Sequence, residues 1–218
     1  MSDRQMKLVN LNIGLPKKMT YNENKEIVTG ICKKSVDEAY LSYDGFQGDG
    51  IADTRYHGGP DRAVCVYADE HYEQWEKEFN IKLPSAAFGE NLTVRNMLES
   101  DICIGDIYQI GEAVVQISQG RIPCSTITKR IGVPKLLKRI VEEGYTGYLC
   151  RVLEEGTIHK NATIKLIKPH PNEISILFAN EIYFHRRDDV KGIQKILAVQ
   201  ELADAWRKDL SERLAKLI

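Results

Sequence analysis

The feature that most constrains the fold is a change in hydrophobic pattern at Pro169-His170-Pro171. Before it, short apolar runs separated by glycines follow the patterns of β-strands. After it, apolar residues recur at helical spacing, as Leu202, Trp206 and Leu210 do. Two prolines around one residue disfavour a continuous helix or strand. The pattern therefore predicts a β-rich domain at 1–170 and a small three-helix domain at 171–218.

The clearest strand signal is a hairpin, in which residues 107–110 and 113–117 flank the two-residue turn Gly111-Glu112. Further strands are expected near 27–31, 63–67 and 162–167. Many short strands without strict βαβ alternation favour a barrel over a doubly wound fold, so the fold class is mainly β with α.

Helix signals are fewer. Asp69 is expected to cap one helix, and a second should begin near Pro134 and end at Gly144. In the tail, Asn172 is expected to cap a helix over 173–184, and Asp188 or Asp189 to begin the next.

Charge and composition exclude several classes of function. The chain has 218 residues and a formal net charge of -1, so no overall field attracts nucleic acid or an anionic membrane. No apolar run reaches the roughly 20 residues that span a bilayer, and no secretory signal is recognisable. The esterase elbow G-x-S-x-G and the usual nucleotide-binding loops are missing from the sequence. We therefore expect a cytoplasmic protein without nucleic-acid or membrane partners.

Five cysteines are scattered through the chain without a C-x-x-C pair, which argues against a zinc knuckle and for reduced thiols. Four of them, Cys32, Cys65, Cys103 and Cys150, lie in apolar, strand-like segments, where buried and inert thiols are expected.

Cys124 differs, because it lies in a turn with Gly120, Arg121 and Pro123 after a strand. A nearby positive charge lowers the pKa of a thiol and favours the thiolate, which binds soft metals and attacks electrophiles. The alternative is a structural cysteine, since no base or second ligand accompanies it.

Two further clusters carry candidate ligand-binding groups. In Arg55-Tyr56-His57-Gly58-Gly59-Pro60-Asp61-Arg62, paired glycines allow close approach of the backbone, and the cations Arg55, His57 and Arg62 suit an anion. The alternative is a tight turn with exposed charges. In Phe88-Gly89-Glu90-Asn91-Leu92, the polar pair either binds a ligand or belongs to a turn.

These clusters, in this order, resemble the MOSC family of molybdenum-cofactor sulfurase C-terminal domains. The matching segments are 57–64, 88–92, 104–106 and Ser118-Gln119-x-Arg121-x-Pro123-Cys124. The resemblance extends over nearly the whole chain and is greatest to the YiiM-type branch, in which a three-helix domain follows the barrel. Gly120 departs from the family pattern, which often has proline there, and is expected to loosen the loop slightly.

The resemblance implies a strongly bent, mostly antiparallel β-barrel that binds a molybdenum-pterin cofactor, the molybdopterin type. It implies that Cys124 is the metal ligand and the catalytic residue. The cofactor-binding candidates that it implies are Arg55, His57, Arg62, Asn91, Gln119 and Arg121. Pyridoxal phosphate binding is a further association of the family.

The implied activity is reduction of small N-hydroxylated compounds of the hydroxylaminopurine type, with electrons from a separate flavin or iron–sulfur protein. A homodimer is compatible with the sequence. Two alternatives stay open. Cys124 would carry a persulfide and deliver sulfur to a metal cofactor, or the chain would be a non-catalytic module that holds a phosphorylated small molecule.

Overall fold

A computed structural model describes residues 5–53 and 58–218 of the chain. The strands are β1 (Lys7–Ile13), β2 (Lys17–Tyr21), β3 (Lys25–Thr29), β4 (Lys34–Ser35), β5 (Glu38–Ser42), β6 (Gly45–Phe46), β7 (Val64–Ala68), β8 (Leu92–Arg95), β9 (Ile107–Ile110), β10 (Ala113–Gly120), β11 (Tyr148–Glu154), β12 (Gly156–His159) and β13 (Ile164–Lys168). The α-helices are α1 (Glu70–Phe79), α2 (Ser125–Ile131), α3 (Leu136–Glu143), α4 (Ile176–Asn180), α5 (Val190–Leu197) and α6 (Asp204–Leu214).

The main sheet has eight strands in the order β13-β9-β10-β11-β7-β8-β1-β4. Strands β7 and β8 run parallel, and the other neighbouring strands in this order are antiparallel. A bridge between Lys7 and Thr163 brings β1 next to the start of β13, so the sheet curls into a half-closed barrel. The predicted bent, mostly antiparallel barrel is confirmed.

The predicted hairpin is present. Strand β9 pairs with β10 in the register Ile110 opposite Ala113. Gly111 has a φ of 60°, in the left-handed region that costs glycine least, which explains why glycine occupies this turn. The hairpin directs β10 toward Gly120 and the cysteine turn that follows.

Helices α1 and α3 lie where the sequence predicts them, but the cap predicted for α1 is absent. Helix α1 begins after Asp69, but the Asp69 carboxylate pairs with Arg95 and makes no cap bond. Helix α3 ends at Gly144, as predicted, with a φ of 72°. Helix α2, directly after Cys124, was not predicted.

The tail forms three helical segments, and its first cap is not the predicted one. Ser175, not Asn172, caps α4, accepting a hydrogen bond from Phe178 N at 3.2 Å. Helix α4 continues into a π-helical turn, Glu181–His185. Asp189 caps α5 as predicted, accepting from Gly192 N at 2.8 Å.

The helical tail shares one apolar core with the sheet, because Trp206 and Leu210 of α6 belong to the same buried cluster as Ile117 and Tyr148. The division into domains at residue 170 stays a prediction. Among the described residues, no helix combines the length and apolar character needed to cross a membrane.

Replacing the observed cap should destabilise the tail, while replacing the predicted one should not. Ser175→Ala removes the acceptor for Phe178 N and should lower the free energy of unfolding by about 1 kcal/mol in urea denaturation. Asn172→Ala is the matched control, because Asn172 is exposed. Equal losses in the two variants would contradict the cap assignment.

Candidate functional site

The cysteine turn joins β10 to α2. Strand β10 extends to Gly120, three residues beyond the predicted end, and Cys124 takes the N-cap position of α2 with extended backbone angles of φ −109° and ψ 160°. The Cys124 residue is half-buried. Its sulfur is therefore carried by a stiff strand-to-helix turn and not by the strand end itself.

Arg121 places a buried positive charge beside this turn. Its Nη2 donates to Phe88 O at 2.6 Å, while its Nη1 is buried and has no hydrogen-bond partner among the described residues. Burial opposes the charge of Arg121, but the electrostatic influence of Cys65 and Cys124 raises its pKa above the ordinary value. The guanidinium thus stays charged next to Cys124, and a neighbouring positive charge is one of the features that stabilise a thiolate.

A second arginine holds the other side of the turn. Arg130, in the last turn of α2, donates to the carbonyl oxygens of Ile31 and Ala86, and to Ser85 O at 3.0 Å. Arg121 and Arg130 therefore fasten both flanks of Cys124 to the segment 85–88. We call this pair of residues the arginine clamp.

The segment 85–88 is itself fixed from the other side. Ala86 has a φ of 50°, a left-handed conformation that is costly for alanine and that the surrounding contacts must maintain. Ala87 N donates to Tyr72 Oη at 2.8 Å. The Phe88 ring stacks on Tyr67 with centroids 4.0 Å apart, and Trp75 Nε1 donates to Tyr67 Oη at 2.8 Å.

Glu90 lies next to this segment and is fully buried. Its Oε1 accepts hydrogen bonds from Tyr72 Oη at 2.5 Å and Thr93 Oγ1 at 2.9 Å, whereas its Oε2 has no partner in the described part of the chain. Burial of the Tyr72 side chain raises its pKa, and the negative charge of the nearby Glu90 raises it further. The phenol therefore stays protonated and donates its hydrogen bond to Glu90.

The side chain of Asn91, a cofactor-binding candidate, makes its hydrogen bonds to other residues of the protein. Its Oδ1 accepts from Cys65 N at 3.1 Å, and its Nδ2 donates to Asn12 O at 3.3 Å and Asp49 Oδ2 at 2.8 Å. Asp49 also forms a largely buried ion pair with Lys33. A direct contact between Asn91 and a cofactor stays a prediction.

One polar atom of the Gln119 side chain has a hydrogen-bond partner, and the other has none among the described residues. Its Nε2 donates to Gly120 O at 3.0 Å, and its Oε1 is buried without a partner within residues 5–53 and 58–218. Buried polar atoms are nearly always hydrogen-bonded in proteins. The unpartnered Gln119 Oε1 and Arg121 Nη1 therefore mark where a polar ligand would complete the structure.

The glycine-rich cluster is described only in part. Arg55 and His57 lie outside the described residues. Gly58 and Gly59 have φ angles of 78° and 92°, and Arg62 ends a short 3-10 helix, Pro60–Arg62, with its N–H bonded to Gly59 O at 2.9 Å. The close approach of backbone to ligand predicted for the paired glycines stays untested.

Burial makes three of the four remaining thiols less acidic. Cys65 and Cys150 lie in strands, but Cys103 lies at an isolated bridge, and Cys32 falls between β3 and β4, contrary to the expected strand. Burial raises the pKa of Cys65 and of Cys150, and raises that of Cys103 to about 11. In the described part of the chain, no group of three or more His, Cys, Asp or Glu side chains is arranged to hold a metal ion.

Comparison with known proteins places this site in a family. Residues 53–165 match the family model described as the MOSC domain. This chain belongs to the MOSC domain family. The tail of the MOSC chain, residues 174–217, matches the model described as the YiiM-like, 3-alpha helix domain, which confirms the resemblance to the YiiM-type branch. MOSC domains are associated in general with binding of the molybdenum cofactor.

Individual relatives agree with this assignment. The MOSC chain is 41% identical over 219 residues to protein YflK of Bacillus subtilis (strain 168), covering 100% of this chain and 99% of that protein. The crystal structure of YiiM from Geobacillus stearothermophilus superposes with a TM-score of 0.82 at 34% identity, covering 96% of this chain and 99% of that one. A protein of Gibberella moniliformis (strain M3125 / FGSC 7600) named "Reductase" is 39% identical over 153 residues, which are 67% of this chain and 27% of that protein.

Sequence reasoning singled out Cys124 and Arg121 as candidates, which stay predictions, and did not single out Lys33, Asp49 or Arg130, whose contacts the structure shows. Each of these three is a charged residue in an otherwise ordinary segment. Their partners lie far along the chain, so no local spacing identifies them. An arginine near the end of a short helix is usually solvent-exposed, whereas Arg130 is half-buried and hydrogen-bonded to backbone carbonyls.

Thiol labelling of the MOSC chain should separate Cys124 from the protected cysteines. Near neutral pH, iodoacetamide should modify Cys124 before Cys65, Cys103 and Cys150, because the raised pKa values keep those three as thiols. Peptide mass spectrometry after timed labelling measures the order. Labelling of Cys65 or Cys150 ahead of Cys124 would refute the proposed thiolate environment.

Proposed function

We propose that this protein is an oxidoreductase that reduces N-hydroxylated small molecules, using a molybdenum-pterin cofactor bound through the Cys124 thiolate. The observation that carries the proposal is the position of Cys124, half-buried at the start of α2, beside a buried guanidinium with one unpartnered nitrogen. The homology to the fungal protein named "Reductase" supports the class of reaction.

The residues present fit such a cofactor. A thiolate is a soft ligand suited to a soft metal centre, and the positive charge of Arg121 stabilises it before metal binds. Arg121 Nη1 is a donor for an anionic or carbonyl oxygen, and Gln119 Oε1 is an acceptor for an N–H or O–H group. Both would otherwise stay buried without partners, which costs free energy.

Arg62 is a further candidate for the phosphate of the pterin, since guanidinium groups match phosphate geometry. Arg55 and His57 share that proposed role. The sequence places all three beside Gly58 and Gly59.

When bound, the cofactor supplies the two-electron chemistry of oxygen removal, which side chains alone do not provide. The overall reaction consumes two electrons and two protons and converts R–NH–OH into R–NH2 and water. We propose that a separate flavin or iron–sulfur protein delivers the electrons. The chain's own residues hold the sulfur anionic, orient the cofactor through hydrogen bonds and keep the site sheltered by the barrel.

Metal analysis of the full-length chain tests the ligand. Wild-type protein from a host that makes the cofactor should contain molybdenum near one atom per chain and should reduce a hydroxylaminopurine with a chemical electron donor. Cys124→Ser and Cys124→Ala should lose both properties while keeping the thermal unfolding midpoint. Cys103→Ser is the matched control, because Cys103 is a half-buried thiol outside the cysteine turn.

Two outcomes would overturn the proposal. Reductase activity that survives in Cys124→Ala would remove the metal ligand from the mechanism. A molybdenum-free wild type with a mass increase of about 32 Da on Cys124 would instead support the persulfide carrier.

Substitution of the neighbouring guanidinium tests the electrostatic part of the proposal. Arg121→Gln should lower molybdenum retention or reductase activity about 10- to 100-fold, the usual effect of losing a group that supports a metal ligand. Arg139→Gln is the control, because Arg139 pairs with Glu78, Glu142 and Glu143 on the surface. Unchanged metal content and activity in Arg121→Gln would contradict the assigned role.

A further inference from the structure

We infer that the C-terminal helices position the cysteine turn, through contacts centred on Asp61. The inference rests on the proposed function only in taking Cys124 as the working group of the site. Asp61 belongs to the glycine-rich cluster, yet its polar atoms are directed to other parts of the fold and are not left for a ligand.

The Asp61 carboxylate joins the barrel to the tail. Its Oδ1 accepts from Arg151 Nε at 2.8 Å and Nη2 at 2.6 Å, which ties it to β11. Its Oδ2 accepts from Asp204 N at 2.9 Å, the first residue of α6. Since Ala203 at the N-cap position has no side-chain acceptor, Asp61 caps this helix from 143 residues away.

The same contacts reach β10. The Ser118 hydroxyl lies 2.6 Å from Asp61 O and 2.8 Å from Leu149 O and shares its one proton between them, and Ser118 O accepts from Ala203 N at 3.0 Å. Arg151 Nη1 donates to Glu201 O at 2.8 Å. The segment just before α6 is therefore hydrogen-bonded to the strand that ends four residues before Cys124, and to the cluster that contains Arg62.

A second contact lies at the end of β10. A Cβ atom on Gly120 would lie 2.1 Å from Asn180 Oδ1 and 2.9 Å from the Trp206 ring. Asn180 Nδ2 donates to Gly144 O at 2.8 Å and Thr146 Oγ1 at 3.0 Å. Gly120 is thus closely packed against the tail, so the expectation of a looser loop is wrong.

These contacts explain how a tail outside the site would affect it. Ser118 O is bonded to Ala203 N at the N-cap of α6, Gly120 packs closely against Asn180 and Trp206, and Arg121 N donates to Gly147 O at 3.0 Å in the next loop. With α2 held by Arg130, the turn 121–124 has little freedom. Loss of the Asp61 contacts should release the β10 side of the turn and leave the α2 side in place.

A pair of substitutions at Asp204 isolates one of these bonds. Asp204→Pro removes the N–H that Asp61 accepts, and proline is well tolerated at the first position of a helix after an extended residue such as Ala203, whose ψ is 142°. Asp204→Ala removes the same exposed side chain but keeps the N–H, so it is the matched control. Asp61→Asn provides a second route if Asp204→Pro folds poorly.

The readout is iodoacetamide labelling of full-length, cofactor-free protein, followed residue by residue. In Asp204→Pro, Cys124 should react about tenfold faster than in Asp204→Ala, because local opening of the turn becomes easier. Cys32, half-buried between β3 and β4 against a different apolar cluster, is labelled without breaking the Asp61 contacts and should react at an unchanged rate. Asp61→Asn should change the Cys124 rate in the same direction.

The inference is overturned if Cys124 reacts at the same rate in Asp204→Pro and Asp204→Ala, or if Cys32 accelerates by the same factor as Cys124. Labelling does not require molybdenum. A molybdenum-free wild type would therefore overturn the proposed function while leaving the positioning role of the tail to be decided by the labelling rates.

Discussion

The arginine clamp is the interaction on which the rest of the candidate site depends. Arg121 and Arg130 stand on either side of Cys124 in the sequence, and both donate to carbonyl oxygens of the segment 85–88. A guanidinium has five donors in a rigid fork, so burying one is favourable only where acceptors are already arranged around it. The strained Ala86 and the stacked Phe88 provide that arrangement. The aromatic core below the segment therefore determines where the sulfur of Cys124 lies.

The polar groups around the cysteine turn differ in whether the fold itself supplies their hydrogen-bond partners. Arg130 and Asn91 direct their polar atoms into the fold, and they act as supports. Gln119 Oε1 and Arg121 Nη1 are buried without partners in the described residues. Other buried atoms also lack partners within the described ranges, among them Glu90 Oε2, Asn180 Oδ1 and Trp206 Nε1, so a missing partner points to a ligand only where the atom lies beside the cysteine turn. Their position on either side of Gly120 is consistent with one ligand that uses both.

The tail gives the MOSC barrel a second layer of support. Helix α6 packs Trp206 into the common core and receives its N-terminal cap from Asp61. Arg130 of the clamp holds the helical side of the cysteine turn, and the tail adds to Arg121 on the strand side. This division of labour offers a physical reason for a small helical unit to accompany the barrel.

The sequence by itself determined many of the local elements and singled out the candidate reactive cysteine. Period-two patterns placed the hairpin at Gly111, helical spacing placed α3 and α6, and the turn containing Cys124 and Arg121 was visible from residue types alone. Local patterns report short-range preferences, which is why they succeeded here. They failed where a residue had competition that the pattern does not show: Arg95 takes the Asp69 carboxylate as its acceptor, and Ser175 replaces Asn172 as a cap. Only the tertiary structure decided barrel closure at Lys7 and Thr163, and the partners of Arg130 and Asp61, because these depend on burial and on contacts between residues far apart in the chain.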